Sequence, residues 1–185
     1  MKIAVISDTH GGLHGWESAL FLVSKAETVI HCGDIFNSGY NPLPEKYEPK
    51  NLLNALNRIE KEFFAVEGNC ETYGDRKMLE VPMAYPYLAF KVDKTRILAT
   101  HGHLFREEEL ISLAKRWNID ILLTGHTHRW KIEKHENFIW LNPGSASIPK
   151  GEPSAALIDT DISMFQVFNL DTKEIIKEEK LSPGR

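Results

Sequence analysis

The sequence predicts a layered α/β domain, and three observations carry that expectation. Short apolar runs closed by a polar tip occur five times, helical periods separate them, and beyond residue 129 the helical periods give way to strand-like segments alone. Runs of four or five apolar residues rich in Val and Ile fit strands buried on both faces. Their alternation with helices places the helices outside the sheet.

Taken in order, "IAVIS" ends in Asp8-Thr9-His10, and Trp16, Ala19, Leu20 and Val23 then recur at helical spacing. "TVIH" ends in Cys32-Gly33-Asp34. Residues 37–50, without periodicity, predict a long surface loop. Leu52, Leu53, Leu56 and Ile59 mark a second helix, "FFAVE" ends in Gly68-Asn69-Cys70, and "RILAT" ends in His101-Gly102-His103. Leu110, Leu113, Ala114 and Trp117 mark a third helix before "ILLT" closes in Gly125-His126-Thr127-His128. "KIEKHENFIWLNPGS", "SAALIDT" and "SMFQVFNL" then predict antiparallel strands, with turns at Glu136-Asn137, Asn142-Pro143-Gly144 and Asp159 to Asp161.

A chain of 185 residues, 42% hydrophobic and 26% charged, suits one domain over residues 1–185 with one substantial core. A net charge of -4 and a pI near 6.1 lack the basic footprint of sequence-independent nucleic-acid binding, so duplex DNA is a poor partner. No apolar stretch is long enough to span a membrane, and the N-terminus enters a strand-like run at once, without the pattern of a signal peptide. Two cysteines, Cys32 and Cys70, each inside a polar motif, point to reduced thiols and a cytoplasmic protein.

Polar residues at the carboxyl ends of strands in such sheets converge on one edge, where ligands bind. Here that edge carries Asp8, His10, Asp34, Asn69, His101, His103, His126 and His128. Carboxylates, imidazoles and an amide oxygen make a metal-ligand inventory that needs no thiolate. It is too large for one ion, whereas two ions about 3.5–4 Å apart and sharing a carboxylate would use it. A lone Gly-Asp turn or strand-end histidine is ordinarily structural. Asp8-x-His10 and His126-x-His128 are stronger signals, because alternate residues of extended chain face one side. Co-occurrence in five successive tips favours metal.

Asp8-x-His10, Gly33-Asp34, Gly68-Asn69-Cys70-Glu71, His101-Gly102-His103 and Gly125-His126-Thr127-His128, in this order, resemble the motifs of the calcineurin-like metallophosphoesterases. Within that superfamily they are most similar to the small bacterial YfcE-type phosphodiesterases. The similarity covers nearly the whole chain, including "GDIFNSGYNPLPEKY" and "LNPGSASIPKG". The resemblance implies a four-layer sandwich, two mixed β-sheets flanked by helices, with a dinuclear site at the sheet edge. Carried over residue by residue, it implies that Asp8, His10, Asp34 and His128 hold one metal and Asp34, Asn69, His101 and His126 the other, with Asp34 as the bridge. His103 and the Asn69-Cys70 turn would lie beside the substrate phosphate as catalytic residues.

Two divalent cations outweigh the carboxylates of Asp8 and Asp34 even with a bridging hydroxide, so the site suits an anionic phosphate ester. The implied reaction is hydrolysis of a small phosphate diester by that hydroxide, without a covalent enzyme intermediate. Mixed N and O ligation suits Mn²⁺ and admits Fe²⁺, Co²⁺, Ni²⁺ or Zn²⁺. Cys70 stands where many members of the superfamily have histidine, and a thiol is a poorer acid for a leaving alkoxide near neutral pH, which shifts the role toward His103 or water. Glu71 replaces the usual aspartate and is expected to orient a ligand through a hydrogen bond. Ser38 and Tyr40 are candidates for shaping substrate choice.

His14 and His135 are expected at the surface, His31 behind the strand before Asp34, Cys32 in the core, and Asn142-Pro143-Gly144 in a tight turn behind the site. The competing readings are a scaffold on the same fold, like a eukaryotic membrane-coat subunit, and a nuclease. Every ligand type being present favours catalysis over the first. The lack of basic charge weighs against the second. A homo-oligomer, dimer or tetramer, is the expected assembly.

Overall fold

The computed structural model describes residues 1–37, 39, 41–92 and 94–181. Its first strand already shows why two sheets must stack. In β1 (Lys2–Ile6), Ile3 and Val5 enter one apolar cluster while Ala4 and Ile6 enter another, so both faces need a cover. One face is covered by α1 (Leu13–Val23) and α2 (Pro49–Asn57), the other by the second sheet.

The first sheet continues with β2 (Thr28–His31), β3 (Glu62–Val66) and β4 (Met83–Ala84), all parallel to β1 and running outward from it. On the other side of β1 lie β10 (Ser154–Asp159), β11 (Met164–Asn169) and β12 (Ile175–Lys180), each antiparallel to its neighbour. The second sheet has the order β5-β6-β7-β9-β8, from β5 (Leu88–Val92), β6 (Thr95–Ala99), β7 (Ile121–Leu123), β8 (Trp130–Lys134) and β9 (Ile139–Pro143). Its strands β6, β7 and β9 run parallel, and its edges are antiparallel. Ile97, Ile121, Leu123, Ile139 and Leu141 meet Ile3, Val5 and Ile30 between the sheets. Leu98 and Leu122, on the opposite face, pack with Leu110 and Ala114 of α4 (Glu107–Arg116). Helices, sheet, sheet and helix give the four expected layers.

Particular expectations shift. Leu20 of α1 is 44% exposed and Leu22 is buried instead, which turns the helix face by part of a turn. The second helix begins at Pro49, inside the span expected to be loop, because Pro is favoured where the first helical N–H has no partner. Ile59 lies beyond its end. The short α3 (Tyr73–Met78) and the strands β4, β5 and β12 were not anticipated.

Candidate metal centre

The polar tips do converge, but not as extended chain. Asp8, His10, Asp34, His126 and His128 all have positive φ, at 54°, 46°, 53°, 67° and 59°. The histidine pair and the Asp-x-His pair are therefore aimed by left-handed turns, not by strand alternation. Asp and His adopt this region more readily than most residues, yet each such turn costs about 1 kcal/mol or more unless its surroundings hold it.

Here the surroundings do hold it. Asp8 N donates to Gly33 O at 3.0 Å and His10 N to Asp34 O at 2.9 Å, which ties the first tip to the second. Ser145 Oγ donates to Asp8 O at 2.8 Å, and Thr9 Oγ1 donates to Ile35 O at 3.0 Å. Because the single Thr9 hydroxyl proton goes to that carbonyl, His31 Nε2, 3.1 Å away, must supply the proton of their contact. His31 is thus a neutral buried ring bracing the Asp8–His10 turn. Complete burial lowers its pKa to about 3.

The Gly125–His128 tip is held from behind. Asn142 Nδ2 donates to Gly125 O at 2.7 Å and to Thr127 Oγ1 at 3.2 Å, while Asn142 Oδ1 accepts from Gly144 N at 2.9 Å. Thr127 thus anchors the tip. A Cβ on Gly125 would stand 2.1 Å from Ser7 Oγ and 2.9 Å from Cys32 O, so the tip can approach β1 and β2 only with glycine there.

Four donor groups then meet. The ligand atoms of Asp8, His10, Asp34 and His128, all buried, lie within 4.8 Å of one another. Asp8 Oδ1 is 3.2 Å from His128 Nε2 and 3.8 Å from His10 Nε2, and Asp34 Oδ2 is 3.6 Å from His10 Nε2. Ligands about 2.1 Å from one ion stand no more than about 4.2 Å apart; these three separations fall inside that limit, and the 4.8 Å span of the whole group exceeds it by a few tenths of an ångström that a bound divalent cation would draw in. Asp8 Oδ1 is buried without a hydrogen-bond donor, as a carboxylate oxygen kept for a cation would be. His128 Nδ1 faces Ile148 O at 2.6 Å, which fixes the proton on Nδ1 and turns Nε2 to the centre.

The second set is looser. His101 Nε2 lies 3.3 Å from Asp34 Oδ2 and 3.2 Å from Asn69 Oδ1, with Nδ1 bonded to Cys32 O at 2.8 Å. His126 is exposed, its ring centroid 5.2 Å from that of His101. Among the described residues, the Asp8, His10, Asp34 and His128 group is the one whose donors are gathered tightly. Asp34 touches both sets.

Electrostatics follow the packing. Burial alone would raise Asp34, but the His101 ring bonded to it and the Cys70 N–H at 2.9 Å hold its carboxyl below the usual range. Burial opposes protonation of His101, yet Asp34 and Asp8 raise it to about 9. His103 sits 5.3 Å from His101 and 6.1 Å from His126, centroid to centroid, and burial together with those two rings lowers its pKa. Cys70 is 6% exposed, and burial and Asp34 push its thiol up to about 12, so it holds its proton too tightly for an acid near neutral pH.

Glu71 does what its position suggested, despite the extra methylene. Its Oε2 accepts from Asp34 N at 3.1 Å and Gly68 N at 2.6 Å, and Oε1 accepts from Phe36 N at 3.1 Å. One buried carboxylate thus clamps two tips together. Burial and the Asp34 charge push it up to about 7, against the pull of those N–H donors.

Ser38 and Tyr40 lie outside the described residues. His14 is exposed, whereas His135 is partly buried, stacked on Phe138 at 4.3 Å and paired with Glu133 at 3.0 Å. Cys32 is core, as expected. The supports that sequence reasoning missed were Ser7 and Thr9, signalled only by their adjacency to the first tip, and Ser145, signalled only by its place after the Asn142-Pro143-Gly144 turn expected behind the site.

Residues 1–163 match the model of the calcineurin-like phosphoesterase superfamily domain. The chain is 36% identical to the phosphodiesterase YfcE of Escherichia coli K12, over 99% of this chain and 100% of that protein. It is 27% identical to a phosphodiesterase of Methanocaldococcus jannaschii, over 87% of this chain and 94% of that one. The solved structure of the Escherichia coli protein superposes with a TM-score of 0.87 at 35% identity, covering 98% of this chain and 100% of that one.

Proposed function

Because the chain belongs to the calcineurin-like phosphoesterase superfamily, we propose that it is a metal-dependent phosphodiesterase acting on a small phosphate ester at the convergent tips. The observation that carries this reading is the buried group of Asp8, His10, Asp34 and His128, with donor atoms within 4.8 Å of one another, in a chain of this family. One divalent cation belongs to that group and a second to Asp34, Asn69, His101 and His126. When bound, such cations neutralise phosphate oxygens and make a nucleophile of water near neutral pH.

The chain's own groups do the rest. Asp34 is the carboxylate common to both sets. Asn69 and His103 lie beside the phosphate, and His103 is the proton source for the leaving oxygen, since the Cys70 thiol is too weak an acid. Backbone ties through Glu71, Asn142 and Ser145 hold these groups in place before substrate arrives.

Mn²⁺ is the activating ion we favour, because oxygen and imidazole donors without thiolate suit it. The two buried free cysteines support a cytoplasmic protein. No helix of the described residues is long and apolar enough to cross a membrane. The expected dimer or tetramer is checked by light scattering.

Chelator-stripped protein reloaded with single divalent cations and assayed on mono- and diesters, cyclic nucleotides included, tests the function. Diester turnover restored by Mn²⁺ supports it. A protein that takes up no metal and turns over no ester is a scaffold, and cleavage confined to nucleic acid would make it a nuclease.

A further inference from the structure

Arg129 and Lys150 stand on the wall of the proposed site, outside the ion pairs of the described residues. Both are exposed, and both line the same cavity as Asp34, Asn69, His126 and His128. Ion pairs among the described residues take up Lys2, Arg76, Arg106 and Lys131 and involve neither of these two. Their backbones are fixed. Lys150 N donates to His128 O at 2.9 Å, and Arg129 N donates to Thr127 Oγ1 at 3.3 Å. A chain with a net charge of -4 thus keeps two cations at one wall of this cavity, with the single acid Glu152 beside them on the adjoining one.

A phosphodiester carries a single negative charge, which the metal-ligating group already serves. A planar guanidinium and a compact ammonium on one wall match the oxygens of another, dianionic phosphate. His103, the proton source for the leaving oxygen, does not line that cavity, so the additional phosphate belongs to the arm that is retained. Resting on the phosphodiesterase reading, we propose that Arg129 and Lys150 select substrates whose retained arm ends in a phosphate monoester.

Two esters test this with the Mn²⁺-loaded protein: p-nitrophenyl ethyl phosphate, and the same diester with a phosphate on the far end of the ethyl arm. At about 50 mM salt, where screening is modest, the terminal phosphate should raise kcat/KM roughly tenfold or more, chiefly through KM. In the double variant Arg129→Gln/Lys150→Gln the ratio of the two constants should fall toward one, with the thermal unfolding midpoint retained. Calorimetric binding of a methylphosphonate analogue bearing the terminal phosphate gives a readout without turnover and should weaken about tenfold in the double variant. A wild-type ratio near one, or a preference that survives the double substitution, overturns the proposal. If neither ester is hydrolysed the phosphodiesterase reading fails, and the binding comparison still decides the role of the two cations.

Discussion

Asp34 lies between the two proposed ligand sets, 3.6 Å from His10 and 3.3 Å from His101. Asp34→Asn should remove both ions by metal analysis and lower turnover at least about 10³-fold while leaving the fold, because the amide keeps the shape and loses the charge. His103→Ala should cost about 10²-fold on a diester with a poor leaving group and much less on a p-nitrophenyl ester, if the ring supplies the leaving proton. Equal losses on both would assign it to binding. His31 makes a pH prediction. Its folded pKa, lowered to about 3 from an ordinary 6.5, means the unfolded chain binds the extra proton between those values. Its contribution to stability is therefore complete above pH ~6.5 and falls as pH drops, by about 2 kcal/mol at pH ~5. Denaturant unfolding should show that loss in the wild type and a shallower pH dependence in His31→Gln, which keeps the donor to Thr9 but cannot take the proton.

The tips are decided by contacts between elements. Asn142, 2% exposed and hydrogen-bonded to Gly125, Thr127 and Gly144, couples the end of β9 to the loop after β7. Asn142→Ala leaves a buried carbonyl and N–H unpaired, and should cost about 1–3 kcal/mol in chemical unfolding and weaken the affinity for added Mn²⁺. The apolar runs that became β1, β2, β3, β6 and β7 were readable because burial on both faces demands consecutive apolar side chains over most of each strand. The same logic hid α3, none of whose residues is buried and whose start is set by a capping box between Thr72 and Asp75. It hid β12 as well, an edge strand reading Ile-Ile-Lys-Glu-Glu-Lys, largely exposed and joined to the sheet through β11. Elements without an apolar period leave little trace in a single sequence.

The centre joins segments from residue 7 to residue 150, so metal binding and global stability should be linked. Each Mn²⁺ site filled at about 100 times its Kd should stabilise the folded chain by about 2.7 kcal/mol, or roughly 5–10 °C in Tm for a chain of this size, and two such sites by about twice that. Scanning calorimetry should show that shift in the wild type and none in Asp34→Asn. That Asp8, His10, Asp34 and His128 come from the polar tips of successive apolar runs could be read along the chain, since donor type and apolar runs are local properties. How they are aimed could not. Left-handed turns at Asp8, His10, Asp34, His126 and His128, the Glu71 clamp and the Asn142 tie all depend on backbone groups far apart in sequence. A hydrogen bond across such a distance exists only once the sheets have packed.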